Sequence, residues 1–303
     1  MRQAIAIALL AASECLSGPS TAWSQITSLP TAPPPDLAEI TVIAPRPPTA
    51  SEVAGDNIKI FINSHSKPKD SGTGTLSRWK EAVCVKTEGL PPAFDDYVSA
   101  RIEAIAVAVK IPQEKRNPCR PNVHVIFTNE PQRFIDTLAE QNPELLGYHY
   151  SAQLKKLKTI DRPMQAWHVT GLEAGASSVV LDSVWAPPLI VPSATRISNG
   201  VRSFILFTLV VVDGRKIVGY PLGAISDYIA VLTLSQVRLI DHCGELPSIL
   251  DLMATACARE KSQSITAADL AYLRSLNTVG QEVDYFIQTK AIEFKMKEQL
   301  TSR

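Results

Sequence analysis

Seven of the chain's 22 prolines fall between Pro30 and Pro48, and that crowding decides where a fold can begin. Proline fixes φ and supplies no backbone N–H, so residues 25–54 read as an extended, polyproline-like arm rather than core. The globular part is expected over residues 55–303, as one α+β domain divisible into sub-lobes 55–150 and 151–303. With 303 residues and 45% hydrophobic content, there is enough apolar side chain for a sizeable core. Thirty basic residues balance thirty acidic ones, which removes the field that nucleic-acid binding needs.

Ahead of the arm, Arg2 precedes an apolar run from Ala4 to Ala12, and Ala22-Trp23-Ser24 closes the polar stretch that follows. A basic start, a short apolar middle and small residues at the end are the pattern of a secretory signal peptide over residues 1–24. No apolar run reaches the roughly 20 residues of a membrane-spanning helix. Removal of this leader leaves Cys84, Cys119, Cys243 and Cys257. An even count in an exported chain reads as two disulfides, and the expected pairs are the sequence-local ones, Cys84–Cys119 and Cys243–Cys257. No CxxC or CxxH spacing favours zinc instead.

Within the globular part, Ile58, Ile60 and Ile62 alternate with Lys59 and Phe61 and predict a strand. Val98, Ile102, Ile105 and Val109 share one face of a predicted helix over 95–110, with two aspartates in its first turn. Residues 122–129 predict a central strand, and Pro131 opens a helix that Asn142-Pro143 ends. Farther on, residues 164–170, 177–184, 188–198, 201–212 and 216–219 are short and β-prone. Asn199-Gly200 and Asp213-Gly214 favour type I′ turns between the last of them, which predicts an antiparallel meander. Helices are predicted over 221–239, apolar on most of its surface, and over 247–257. Another opens at Thr266 with Asp269 three residues on, and a charged one covers 281–300. The expected fold is α+β: a short mixed sheet with helices, an antiparallel meander and a C-terminal helical segment.

Chemistry is harder to find. The five histidines, His65, His124, His149, His168 and His242, show no HExxH-type spacing. Lys67 to Ser77 lacks the GxxxxGK[ST] of a phosphate loop, and no GxSxG elbow is present. Asp227 is the most unusual polar residue, because it sits in the apolar 221–239 segment and a buried carboxylate must be paired or neutralised. A solvated edge or a backbone contact is the plain reading of Asp227. Asp227, Tyr228 and His168 are the first suspects if the protein is a hydrolase. The Lys155-Lys156-Leu157-Lys158 cluster reads as a solvated helix face.

Three strings carry a resemblance: Pro221 through Ala230, Leu246-Pro247-Ser248-Ile249-Leu250-Asp251-Leu252, and Ile265 through Leu276. With Arg78-Trp79, Cys84 and Cys119-Arg120-Pro121-Asn122-Val123, they resemble uncharacterised secreted proteins of Gram-negative bacteria, which implies export and disulfides. The order of a buried helix, Ser248-Ile249-Leu250 with Met253, and a helix opened by Thr266 is similar to metzincin-type zinc peptidases. Gly223 to Asp227 stand where that family carries its zinc ligands and include no histidine, so the likeness implies a scaffold without the metal. Glu39-Ile40-Thr41-Val42-Ile43-Ala44-Pro45 resembles the short box of TonB-dependent receptors. The expected function is a non-catalytic, exported envelope protein, periplasmic or secreted, that binds a partner protein or small ligand and uses no cofactor.

Overall fold

The computed structural model describes residues 45–66, 74–114, 116, 118–147, 151–175, 179–181, 200–239, 241–280 and 282–302. The expected signal peptide, the receptor-like box up to Ala44, His149, the β-prone residues 188–198 and Asn199 of the expected turn lie outside them. Helix α1 (Asn57–His65) is followed by β1 (Arg78–Trp79), β2 (Val85–Glu88), α2 (Pro92–Ala108), β3 (Val123–Thr128) and α3 (Pro131–Gln141). Then come α4 (Leu154–Leu157), β4 (Met164–Ala174), β5 (Val180–Leu181), β6 (Val201–Asp213), α5 (Leu222–Leu234), α6 (Ala267–Thr278) and α7 (Tyr285–Thr301). Short 3₁₀ turns cover Pro143–Leu146, Gly214–Lys216 and Ile249–Met253.

The sheet runs β2-β3-β6-β4-β5, with β1 against the start of β6. β2, β3 and β1 join it in parallel, and β4 joins in antiparallel. This is the expected mixed α+β architecture, with helices on both faces. At the 169/170 step of β4 the register against β6 slips, leaving Leu206 as the extra residue of a bulge. The slip changes which face alternate side chains reach. Ile205, Val210 and Val212 enter the large core under α2, α5 and α6, whereas Phe207, Leu209 and Val211 join Trp167, Phe134 and Leu146 on the other face.

β3 is buried at every position, as a central strand must be, with Val123, Val125 and Phe127 on one face and Ile126 on the other. Val98, Ile102, Ile105 and Val109 are wholly buried on the predicted stripe of α2. Gly89, at φ +110°, lets β2 end beside β3; a Cβ there would lie 2.0 Å from the Phe127 carbonyl oxygen. Both disulfides form as expected, with Cα separations of 6.2 Å for Cys84–Cys119 and 5.0 Å for Cys243–Cys257.

Five local expectations need correction. Residues 57–65 are a helix, because Ile58, Phe61, Ile62 and His65 are its inward i, i+3, i+4, i+7 set while Ile60 is 54% exposed. Asp213-Gly214 makes no hairpin. The Asp213 side chain accepts from Arg215 N at 3.1 Å and caps a 3₁₀ turn, and Gly214 does not adopt the positive φ that a type I′ turn requires. The antiparallel strands are not in chain order, since β5 folds back on β4 and β6 lies on β4's opposite side. α5 stops at Leu234, five residues short of Leu239, because Trp79 Nε1 and His168 Nε2 donate to the Thr233 and Leu232 carbonyls at 3.1 and 2.9 Å and satisfy its C-terminus. The 247–257 segment holds only the 3₁₀ turn, capped by Ser248 and Asp251, before the Cys243–Cys257 bond draws it away.

Candidate binding groove

The polar residues singled out from the sequence occupy structural posts. Asp227, 1% exposed, accepts from Arg101 Nε at 2.6 Å and Nη2 at 3.0 Å, and from the Ile265 backbone N–H at 2.7 Å. These contacts tie α5 to α2 and to Ile265, two residues ahead of α6. Tyr97 lies alongside, and burial pushes its phenol up. Tyr228 is itself buried in the core, with its phenol driven well above the usual range by desolvation. His168 spends Nε2 on the Leu232 carbonyl near α5's end. Asp227, Tyr228 and His168 therefore do not converge on a common open space.

A second buried carboxylate joins the turns around α6. Asp269 accepts from Ser248 Oγ at 2.6 Å, Ile249 N at 2.8 Å and Thr266 N at 2.9 Å, so the predicted capping box at Thr266 also fastens the 249–253 turn. Burial pushes the Asp269 carboxyl up, opposed by these donors. Asp251 accepts from Ser248 N at 3.0 Å and pairs with Arg259; burial pushes it up as well. His124, on β3 beside Phe207, is held down to about 4 by desolvation, with Lys86 acting in the same direction. Asp95 is pushed up to about 6 by burial, with Glu88 and Asp96 adding to it. Among the described residues, no group of three His, Cys, Asp or Glu side chains is arranged to hold a metal. The Lys155, Lys156 and Lys158 side chains are exposed, as a solvated face should be.

The open feature lies elsewhere, where residues 45–54 turn back onto the body. Arg46 and Glu52 pair at 2.8 Å, and Thr49 N donates to Glu52 at 2.6 Å, which sets a turn that brings Val53 against the core. Between this turn and the helices is a groove of about 850 Å³. Pro45, Pro47 and Pro48 form part of one wall. α6 contributes Ala267, Leu270, Ala271 and Arg274, an i, i+3, i+4, i+7 set on the face turned away from Ala268, Tyr272 and Leu276. Leu300 ends the floor from α7, and Ala108 from α2. Arg274 Nε donates to the Ala108 carbonyl at 2.8 Å, which locates the guanidinium. The lining contains no carboxylate, thiol or imidazole. Sequence reasoning missed this site: Leu270 and Ala271 belong to the core and reach the groove only at its base, so no separate stripe on α6 signals it.

No family model, curated protein or solved structure matches the chain. Among the described residues, no helix is long and apolar enough to cross a membrane.

Proposed function

We propose that this is a non-catalytic binding module of the cell envelope, exported by its leader, which engages a partner protein or ligand through the groove beside residues 45–54. The observation that carries the reading is the groove's lining: prolines and aliphatic side chains, Gln299, one cation, and no carboxylate, thiol or imidazole that could act as general base for the Thr301 or Ser302 hydroxyl. The hydrolase suspects give no support to the alternative, since Asp227 and His168 are spent on holding α5. Two disulfides favour an oxidising compartment, in line with export.

The test is mild crosslinking and affinity capture from the native envelope, run with the unaltered chain and with Ala50→Trp, which fills the groove from its exposed wall. A near-stoichiometric partner or ligand that Ala50→Trp loses is the expected result. Capture unaffected by Ala50→Trp would move the binding surface elsewhere. A protein that turns over an envelope substrate equally well with the groove filled would end the reading.

A further inference from the structure

Helix α7 carries apolar side chains on both of its faces, and the fold covers only one. Gln288, Thr289, Ile292 and Met296 are buried against the body. Three side-chain bonds fix the helix's rotation. Gln288 Oε1 accepts from Leu76 N at 2.7 Å, Lys295 Nζ donates to the Thr278 carbonyl at 3.1 Å, and Gln299 Nε2 donates to Ser275 Oγ at 3.0 Å. Phe286 and Phe294 therefore stand outward at 68% and 72% exposure, the two most exposed large apolar side chains among the described residues. Two rings about 12 Å apart along one helix form a strip, and exposed aromatic strips mark interaction surfaces.

The strip is a single row. Phe286, Lys290, Phe294 and Glu298 recur every four residues, all four are exposed, and none of them lines the groove. Rows with this spacing are the ridges by which helices most often cross. Reversed about Phe294, the row sets Lys290 opposite a second copy's Glu298, and Glu298 opposite that copy's Lys290, with the two Phe294 rings meeting on the two-fold axis. Such self-complementarity is what a two-fold interface needs, and antiparallel pairing also opposes the two helix dipoles. Reversal about Lys290 would press like charges together, so the charges specify the register. An anionic surface is a poorer fit, because Lys290 and Lys297 are matched on the outward side by Glu293 and Glu298, and Lys290 already holds Glu293 at 2.8 Å. We infer that α7 is a self-association face, through which two copies of this chain pair antiparallel about Phe294.

The experiment is sedimentation velocity on the full mature chain over a concentration series. A face one helix wide and about 25 Å long belongs with the smaller interfaces, so half-association is expected at roughly 10–100 μM. Phe294→Asp should stay monomeric throughout, and its unfolding temperature at about 1 μM should match that of the unaltered chain because the ring is exposed. Lys290→Glu or Glu298→Lys alone turns two attractive contacts per dimer into repulsive ones and should weaken pairing roughly tenfold or more. Both changes in one chain should restore pairing. Mixing the two single variants should restore it too, as a mixed dimer, an outcome that a structural role for either residue would not produce. A chain still monomeric at about 200 μM overturns the inference, as does a dimer indifferent to Phe294→Asp or a double variant no better than the singles. A monomer that binds phosphatidylglycerol vesicles, and loses them with Phe294→Asp, also overturns it and makes α7 a membrane-surface helix.

Discussion

Asp227 offers the sharpest test of whether the buried polar residues are structural. Its carboxylate is 1% exposed and bonded to Arg101 through both oxygens, and Arg101's side chain is only 11% exposed. Asp227→Asn keeps an acceptor for the Ile265 N–H and removes the carboxylate charge opposite the guanidinium, so a loss of about 3 kcal/mol is expected. Arg101→Met leaves the better buried carboxylate with one backbone donor and should cost more, about 4 kcal/mol. The double variant removes both charges and should lose at least ~2 kcal/mol less than the sum of the two. Guanidinium unfolding followed by circular dichroism, with both disulfides intact, gives all three values. For a domain of this size a loss of 3 kcal/mol lowers the melting temperature by roughly 6–12 °C. Single losses under about 1 kcal/mol would place the pair in the class of surface ion pairs. Strict additivity would show that the two residues do not act as a unit, and either result would refute the argument.

Three further outcomes are expected. His124, held down to about 4 in the fold against an unfolded value near 6.5, binds its proton in the unfolded chain first as pH falls. Its contribution is complete above pH 6.5 and drops by about 3 kcal/mol by pH 4, so His124→Gln should flatten that limb relative to the unaltered chain. Comparing the two at each pH cancels the opposing effect of Asp95, whose raised value makes the fold less stable as pH rises through about 6. Opening Cys84–Cys119, which spans 35 residues, should cost about 4 kcal/mol, and opening Cys243–Cys257, which spans 14, about 3 kcal/mol, measured on the paired Ser variants. Gly147→Ala should destabilise, where a helix-surface Gly→Ala would stabilise, because φ is +62° and the added Cβ would lie 1.9 Å from the His168 carbonyl oxygen; a stability loss under about 0.5 kcal/mol would contradict this.

What was legible in the sequence was local. The α2 stripe, the all-apolar β3, the Thr266–Asp269 capping box and the two disulfides each depend on residues close together in the chain. The helical period of α1 is masked in the sequence because Ile58, Ile60 and Ile62 also fit a two-residue period, while Phe61 and His65 decide the helical face. The need for a partner at Asp227 was readable from its apolar setting. The partner itself, Arg101, lies 126 positions away and no spacing rule could point to it. The groove was hidden for the same reason: it joins residues 45–53, the end of α2, α6 and α7, which meet only in the tertiary fold.

The place of β6 in the sheet bears on how the chain gets there. β6 is the last strand in sequence among the described residues, yet it lies between β3 and β4, and it also carries β1. Until residue 213 is available, β3 and β4 each expose a long apolar edge with nothing to zip against, and Trp79's strand has no neighbour. Assembly therefore cannot run from the amino end as the polypeptide emerges. It must wait for a distal segment to slot into a gap, a non-local closure of the sort that slows folding and leaves sticky edges open meanwhile. A nascent chain stopped before Val201 should be a ward of chaperones rather than a half-built domain.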